Sequence, residues 1–213
     1  MICTLAVSTC TGCAGTRVYV HSSIYEKFIA KVATLAKTMG GATGDPTLDS
    51  TLVGPLANPT QFERVTRYLD IGKTEARLVC GGDSAAVGTG AVVPTIFADV
   101  PDDAVIMQEE IFGPVGSFAS FETLEEVIER ANNSLYGLAA GVWSSNINTC
   151  MAVAEGVDAG TVWVNGMMSS WGYQAPFGGP KQTGGGRTNG KQGLDEYVRQ
   201  FQRLYECRRL SRS

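Results

Sequence analysis

The chain has 213 residues, 44% of them hydrophobic and 18% charged, with a formal net charge of −4. That suits one ordinary α/β domain or two small ones with a real core, and the hydrophobic content excludes a disordered chain. With 17 lysines and arginines against 21 acids and no basic run longer than Arg208-Arg209, the footprint of a nucleic-acid or anionic-membrane binder is missing, and nothing approaches the ~18 consecutive apolar residues of a membrane span.

Met1 to Val7 is mildly apolar, but no positive charge precedes it and it is short for a secretory h-region. Six cysteines lie scattered at 3, 10, 13, 80, 150 and 207, unlike a disulfide framework. An intracellular, cytoplasmic protein with reduced thiols is expected.

Arg17 to Val20 predicts a strand. Ser23 and Glu26 stand at capping-box spacing before a stripe of Ile24, Phe28, Ile29, Val32 and Leu35, and Gly40-Gly41 closes that helix. Asn58-Pro59 opens a second helix through Phe62, Val65 and Leu69 to Gly72. Arg77 to Cys80 is the next strand, stopped by Gly81-Gly82. Val92 to Phe97 predicts another, edge-like or irregular because of Pro94. Thr123 and Glu126 repeat the capping box for a helix ending near Asn133. A strand at Leu138–Trp143, a helix at Ile147–Glu155 and a strand at Gly160–Asn165 complete the pattern. Such alternation predicts an α/β fold, a mostly parallel sheet flanked by helices. The domain runs over residues 1–195. Residues 196–213 alternate with period two and predict a projecting C-terminal strand that contacts another subunit.

Three segments carry chemically interesting residues. Gln108–Pro114 holds Glu109 and Glu110 beside Phe112 and a Gly-Pro turn, which reads as a solvated turn or as a functional carboxylate pair. Pro176–Arg187 is glycine-rich but lacks the GK[ST] ending of a P-loop and the GxGxxG strand–helix setting. It reads as a structural loop packed closely on a neighbouring backbone. Cys10-Thr-Gly-Cys13 is a CxxC without a second pair. His21 is the only histidine, so neither a metal site nor a Ser-His-Asp arrangement is expected, and a reactive thiol stays open.

Taken together, these segments resemble the aldehyde dehydrogenase superfamily. The resemblance is carried by Cys13-Ala-Gly-Thr-Arg17, by Gly54-Pro-Leu with Gln61-Phe, and by Glu109-Glu-Ile-Phe-Gly-Pro114. Ala131–Leu138, Gly160–Asn165 and Pro176–Lys181 follow in family order. It covers essentially the whole chain and implies the family's catalytic-domain fold with an oligomerisation strand. It also implies what is not here: the dinucleotide-binding half, the general-base glutamate and the oxyanion asparagine that the half carries. The family's nucleophile position is Gly12, flanked by Cys10 and Cys13. Glu110 and Phe112 match residues contacting the nicotinamide ribose and ring, as vestiges of a cofactor site. No NAD or NADP binding is expected.

The loop at Gly166–Tyr173 matches the family's substrate-tunnel lining. Met167, Met168, Trp171 and Tyr173, with Phe177, suit a small hydrophobic molecule. The favoured expectation is a redox-neutral cyclisation or isomerisation of such a metabolite, with Glu109 and Glu110 as acid or base and Cys10 or Cys13 as thiol. The alternatives are an aldehyde dehydrogenase fragment needing a complementing N-terminal half, and a non-catalytic scaffold or damaged-gene product. The apolar face left by the missing half predicts a homodimer or higher homo-oligomer.

Overall fold

A computed structural model describes residues 15–83, 90–166 and 172–198. Its larger sheet has four strands in the order β1-β4-β3-β2: β1 (Arg17–His21), β2 (Arg77–Cys80), β3 (Thr95–Ala98) and β4 (Val115–Phe121). Strands β1 and β3 run parallel to β4, and β2 is antiparallel to β3. A second, two-stranded sheet pairs β5 (Ala139–Val142) with β6 (Thr161–Val164) in parallel. The helices are α1 (Tyr25–Gly40), α2 (Pro59–Glu75), α3 (Val105–Gln108), α4 (Leu124–Asn132), α5 (Ile147–Gly156) and α6 (Gly190–Asp195). This is the expected mixed α/β architecture, with the strands divided between two sheets.

Strand alternation builds two cores, one on each face. Tyr19, Phe97, Ala119 and Phe121 pack toward Val65, Tyr68 and Leu69 of α2. On the opposite face, Val18, Val20, Ile96 and Phe118 meet Tyr25, Ile29, Val32 and Ala36 of α1. The Tyr25 hydroxyl donates to the Phe118 carbonyl at 3.2 Å and accepts from the Asp99 amide at 2.8 Å. Burial pushes that phenol up to about 12.

Four local expectations are corrected. The Ser23–Glu26 capping box does not form. A 3₁₀ turn at Ser22–Ile24 precedes α1, whose N-cap, Ile24, has no side-chain bond, while Glu26 pairs with Arg77 at 3.3 Å. The buried stripe of α1 is Tyr25, Ile29, Val32, Ala33 and Ala36, and Leu35 is 54% exposed. Ala33 and Ala36 belong to the cluster that α1 forms with the sheet, and Leu35 lies off that face. Pro94 does not mark an edge: β3 begins one residue after it and lies between β4 and β2, so the missing N–H stays outside the ladder. Glu196–Val198 form a turn after α6, not the start of a strand, with the Tyr197 amide on the Leu194 carbonyl at 3.0 Å. The rest of the expected C-terminal strand lies outside the described residues.

Strand β4 carried no sequence signal. Gly116, Ser117, Ala119 and Ser120 dilute its β-branched character, yet it forms the centre of the larger sheet. Ser117 is tolerated there because its hydroxyl donates to the Ile106 carbonyl at 2.9 Å.

Candidate active-site cleft

A cleft of about 370 Å³ opens at the N-terminal ends of β1 and β5, closed on one side by the 109–112 loop. Gly15, two residues after Cys13, lines it, as do Arg17, Glu109, Glu110, Phe112 and Tyr136.

The 109–112 loop owes its shape to one face of α2. Gln61, Arg64 and Tyr68 lie three and four residues apart, the spacing that aligns side chains on a helix surface. Gln61 Nε2 donates to the Phe112 carbonyl. Arg64 Nη2 donates to the Glu110 carbonyl at 2.7 Å, and the Tyr68 hydroxyl donates to Glu109 Oε2 at 2.5 Å. Helix α2 is well placed to do this because Asn58 caps it, accepting from the Gln61 amide at 2.9 Å, and Pro59 starts it. Phe112 sits at φ 61°, a left-handed conformation costing a non-glycine residue about 1–2 kcal/mol. Its neighbour Gly113 admits no side chain, since a Cβ there would lie 2.7 Å from Val65. The clamp from α2 holds the strained backbone and thereby aims Phe112 and Glu110 at the cleft.

Electrostatically the cleft holds one half-buried acid and one desolvated base. Burial raises the Glu110 carboxyl above its ordinary range, against the pull of Arg64 and Arg17. Burial also lowers the Arg17 guanidinium, while Tyr19, Tyr136 and Glu110 favour its charge. Glu109, spent on Tyr68, is the more exposed of the two acids.

The glycine-rich segment is structural, as expected. A Cβ on Gly160 would lie 1.7 Å from the Gly178 carbonyl oxygen, and one on Gly179 would lie 2.3 Å from that of Gly137. The loop thus presses backbone against backbone at the starts of β5 and β6. Thr183 adds a hydrogen bond, its hydroxyl accepting from the Gly137 amide at 2.8 Å.

The structure brings Glu109, Glu110 and Phe112 together. It does not bring Tyr173 or Phe177 to them: Tyr173 is 80% exposed, and Phe177 bridges to Thr188. Cys10, Cys13, Met167, Met168 and Trp171 lie outside the described residues. The described cysteines, Cys80 and Cys150, are buried away from the cleft. Arg17, Arg64, Tyr68 and Tyr136 were not anticipated as site residues. The polar face of α2 was the available signal for two of them. Among the described residues, no three of the metal-ligating types converge, and no helix is long and apolar enough to cross a membrane.

Comparison with known proteins agrees with this geometry. The profile of the aldehyde dehydrogenase family matches residues 6–201. Human mitochondrial aldehyde dehydrogenase is 43% identical over 187 residues, which is 87% of this chain and 36% of the human one. An Arabidopsis thaliana relative, aldehyde dehydrogenase family 2 member B4, is 41% identical over 187 residues, or 87% of this chain and 34% of its own length. Among solved structures, the NAD+ complex of the Bacillus cereus aldehyde dehydrogenase superposes with a TM-score of 0.82 at 46% identity. That match covers 86% of this chain and 37% of the Bacillus one. The chain therefore spans little more than a third of the length of the relatives it matches, and across that span it belongs to the aldehyde dehydrogenase family.

Proposed function

We propose that this chain supplies the nicotinamide-facing wall of an aldehyde-oxidising site and that these 213 residues do not oxidise aldehydes by themselves. The observation that carries the reading is the clamped 109–112 loop, which presents Glu110 and Phe112 to a cleft of about 370 Å³. Oxidising an aldehyde in this way requires a thiolate adding to the carbonyl carbon, donors for the resulting oxyanion, and a hydride acceptor about 3 Å from that carbon.

The residues present fit one end of a nicotinamide dinucleotide only. Glu110 offers a carboxylate for ribose hydroxyls and Phe112 an aromatic wall for a ring. Among the described residues, no glycine-rich strand-to-helix turn faces the cleft to hold a diphosphate. A bound dinucleotide supplies the hydride acceptor, and the remaining binding energy must come from the part of the family fold that this chain does not span. Cys10 and Cys13, flanking Gly12, are the thiols nearest in sequence to the cleft-lining Gly15. A redox-neutral cyclisation or isomerisation on an apolar metabolite has weaker support. Tyr173 and Phe177, the described members of its expected walls, do not line this cleft.

The test is spectrophotometric. The purified chain with NAD+ and a short aliphatic aldehyde is expected to form no NADH above an enzyme-free control. Co-expressed with the part of the Bacillus cereus enzyme outside the match, it is expected to form NADH, and Cys10→Ala/Cys13→Ala is expected to abolish it. Robust turnover by the chain alone, or full turnover by the double variant, overturns the reading.

A further inference from the structure

We propose that the last turn of α4, residues 130–132, is a brace that fixes the spacing of two sets of cleft-lining residues, with Arg130 and Asn132 as its positioning residues. Its bearing on the reaction rests on the proposed function; the brace itself rests on the geometry. One set is the 108–112 segment, which carries Glu110 and Phe112. The other is the 157–159 segment with Gln182 and Thr183. Ala131 lines the cleft between the two bracing residues in sequence. Successive residues of an α-helix are about 100° apart, so residues two apart leave it on different sides. One turn can therefore hold two separate stretches of chain.

Arg130 reaches the first set. Its Nη2 donates to Asp102 Oδ1 at 3.0 Å, and its Nε lies 2.7 Å from Asp102 Oδ2, a two-pronged pair. The Asp102 carbonyl accepts from Gln108 Nε2 at 2.5 Å, and Gln108 immediately precedes Glu109. Arg130 is itself well anchored. Its Nη1 donates to the Ser120 carbonyl and to Glu126 Oε1, each at 2.7 Å. Its guanidinium carbon lies 5.0 Å from the centre of the Tyr19 ring, and Tyr19 also lines the cleft. Helix α3, which leads into the 109–112 loop, is thus held at both ends. The Glu75 carboxylate of α2 accepts from the Val105 and Ile106 amides at 3.0 and 3.3 Å, and the Asp102–Arg130 link holds Gln108.

Asn132 reaches the second set. Its Nδ2 donates to the Gly156 carbonyl at 2.8 Å and its Oδ1 accepts from the Asp158 amide at 2.7 Å, so one side chain spans the residues flanking Val157. Donor and acceptor are both used, a combination that a carboxylate does not offer. The Asn132 carbonyl accepts from Lys181 Nζ at 2.9 Å, and Lys181 pairs with Asp158 at 3.6 Å. Gln182 follows, its amide on the Leu135 carbonyl at 2.9 Å. The bonds from Gln61, Arg64 and Tyr68 of α2 shape the 109–112 loop, whereas the α4 turn ties that loop to the second set. Spacing of this kind bears on rate, because a misplacement of about 1 Å can cost about 10²-fold.

The test has two arms. In the isolated chain, Arg130→Met is expected to speed amide hydrogen exchange at Gln108 and Glu109 at least tenfold, and at Gly137 and Gln182 less than twofold. Asn132→Ala is expected to do the reverse. Asp102→Asn and Lys181→Met, which remove one partner from each link, take their place if either variant fails to fold. Equal acceleration at both pairs of amides, as general destabilisation produces, overturns the brace, and so does no acceleration at either. In the second arm the chain is co-expressed with the part of the Bacillus cereus enzyme outside the match. Both variants are there expected to lower kcat for NADH formation at least tenfold at saturating NAD+ and aldehyde. The crossed exchange pattern with kcat unchanged overturns the positioning role. If the parent assembly forms no NADH, the proposed function falls and the exchange pattern alone decides the brace.

Discussion

Gly160 shows how little freedom some single positions have. Its missing side chain lets β6 begin in contact with the Gly178 carbonyl, where a Cβ would approach to 1.7 Å. Gly185, in the same glycine-rich region, has nothing within 4 Å of a Cβ. Gly160→Ala is expected to destabilise the fold by about 3 kcal/mol or more in chemical denaturation, and Gly185→Ala to change it by less than about 0.5 kcal/mol. Equal effects would mean that the close approach relaxes freely. Glu110 provides a second test, through pH. Because burial raises its folded-state pKa, its favourable contribution is complete below the ordinary value of 4.5 and is lost as pH rises through the folded value. Glu110→Gln, neutral throughout, should therefore raise Tm by about 1–2 °C near pH 7 and leave it unchanged at pH 4. A lower Tm for the variant at pH 7 would show that Arg64 and Arg17 outweigh burial.

Elements with complete local signals formed where they were expected. Helix α4 has both halves of its capping box. The Glu126 amide donates to the Thr123 hydroxyl at 3.2 Å, and the Glu126 carboxylate accepts from the Thr123 amide at 3.4 Å. Thr123→Ala is expected to cost about 1 kcal/mol, measured by urea denaturation. The same spacing at Ser23 and Glu26 failed because the α1 terminus is set by tertiary contacts: His21 accepts from the Ser23 amide at 3.2 Å, and Glu26 is drawn to Arg77. Strand β4 is the converse case. Its small and polar residues hide it in the sequence, and only its position between β1 and β3 makes a strand of it. The clamp on the 109–112 loop lies between these cases. The polar face of α2 is visible in the sequence, whereas its target is 41 to 51 residues away and is not.

For the molecule as a whole, the sequence by itself determined the alternation of strands and helices, the glycine turns and the motif set that marks the family. Each depends on residues a few positions apart, where propensity, capping and periodicity act. It also placed Glu110 and Phe112 in the site, because their motif is contiguous. Only the tertiary structure decided that Glu109 is held by Tyr68, that Arg17 faces Glu110 across the cleft, and that Tyr173 stands apart from both. It alone divided the strands between two sheets and packed Val142, Val162 and Val164 of the smaller one onto a core of the larger. Those outcomes depend on long-range packing and on which backbone edges find partners, and no local pattern encodes either.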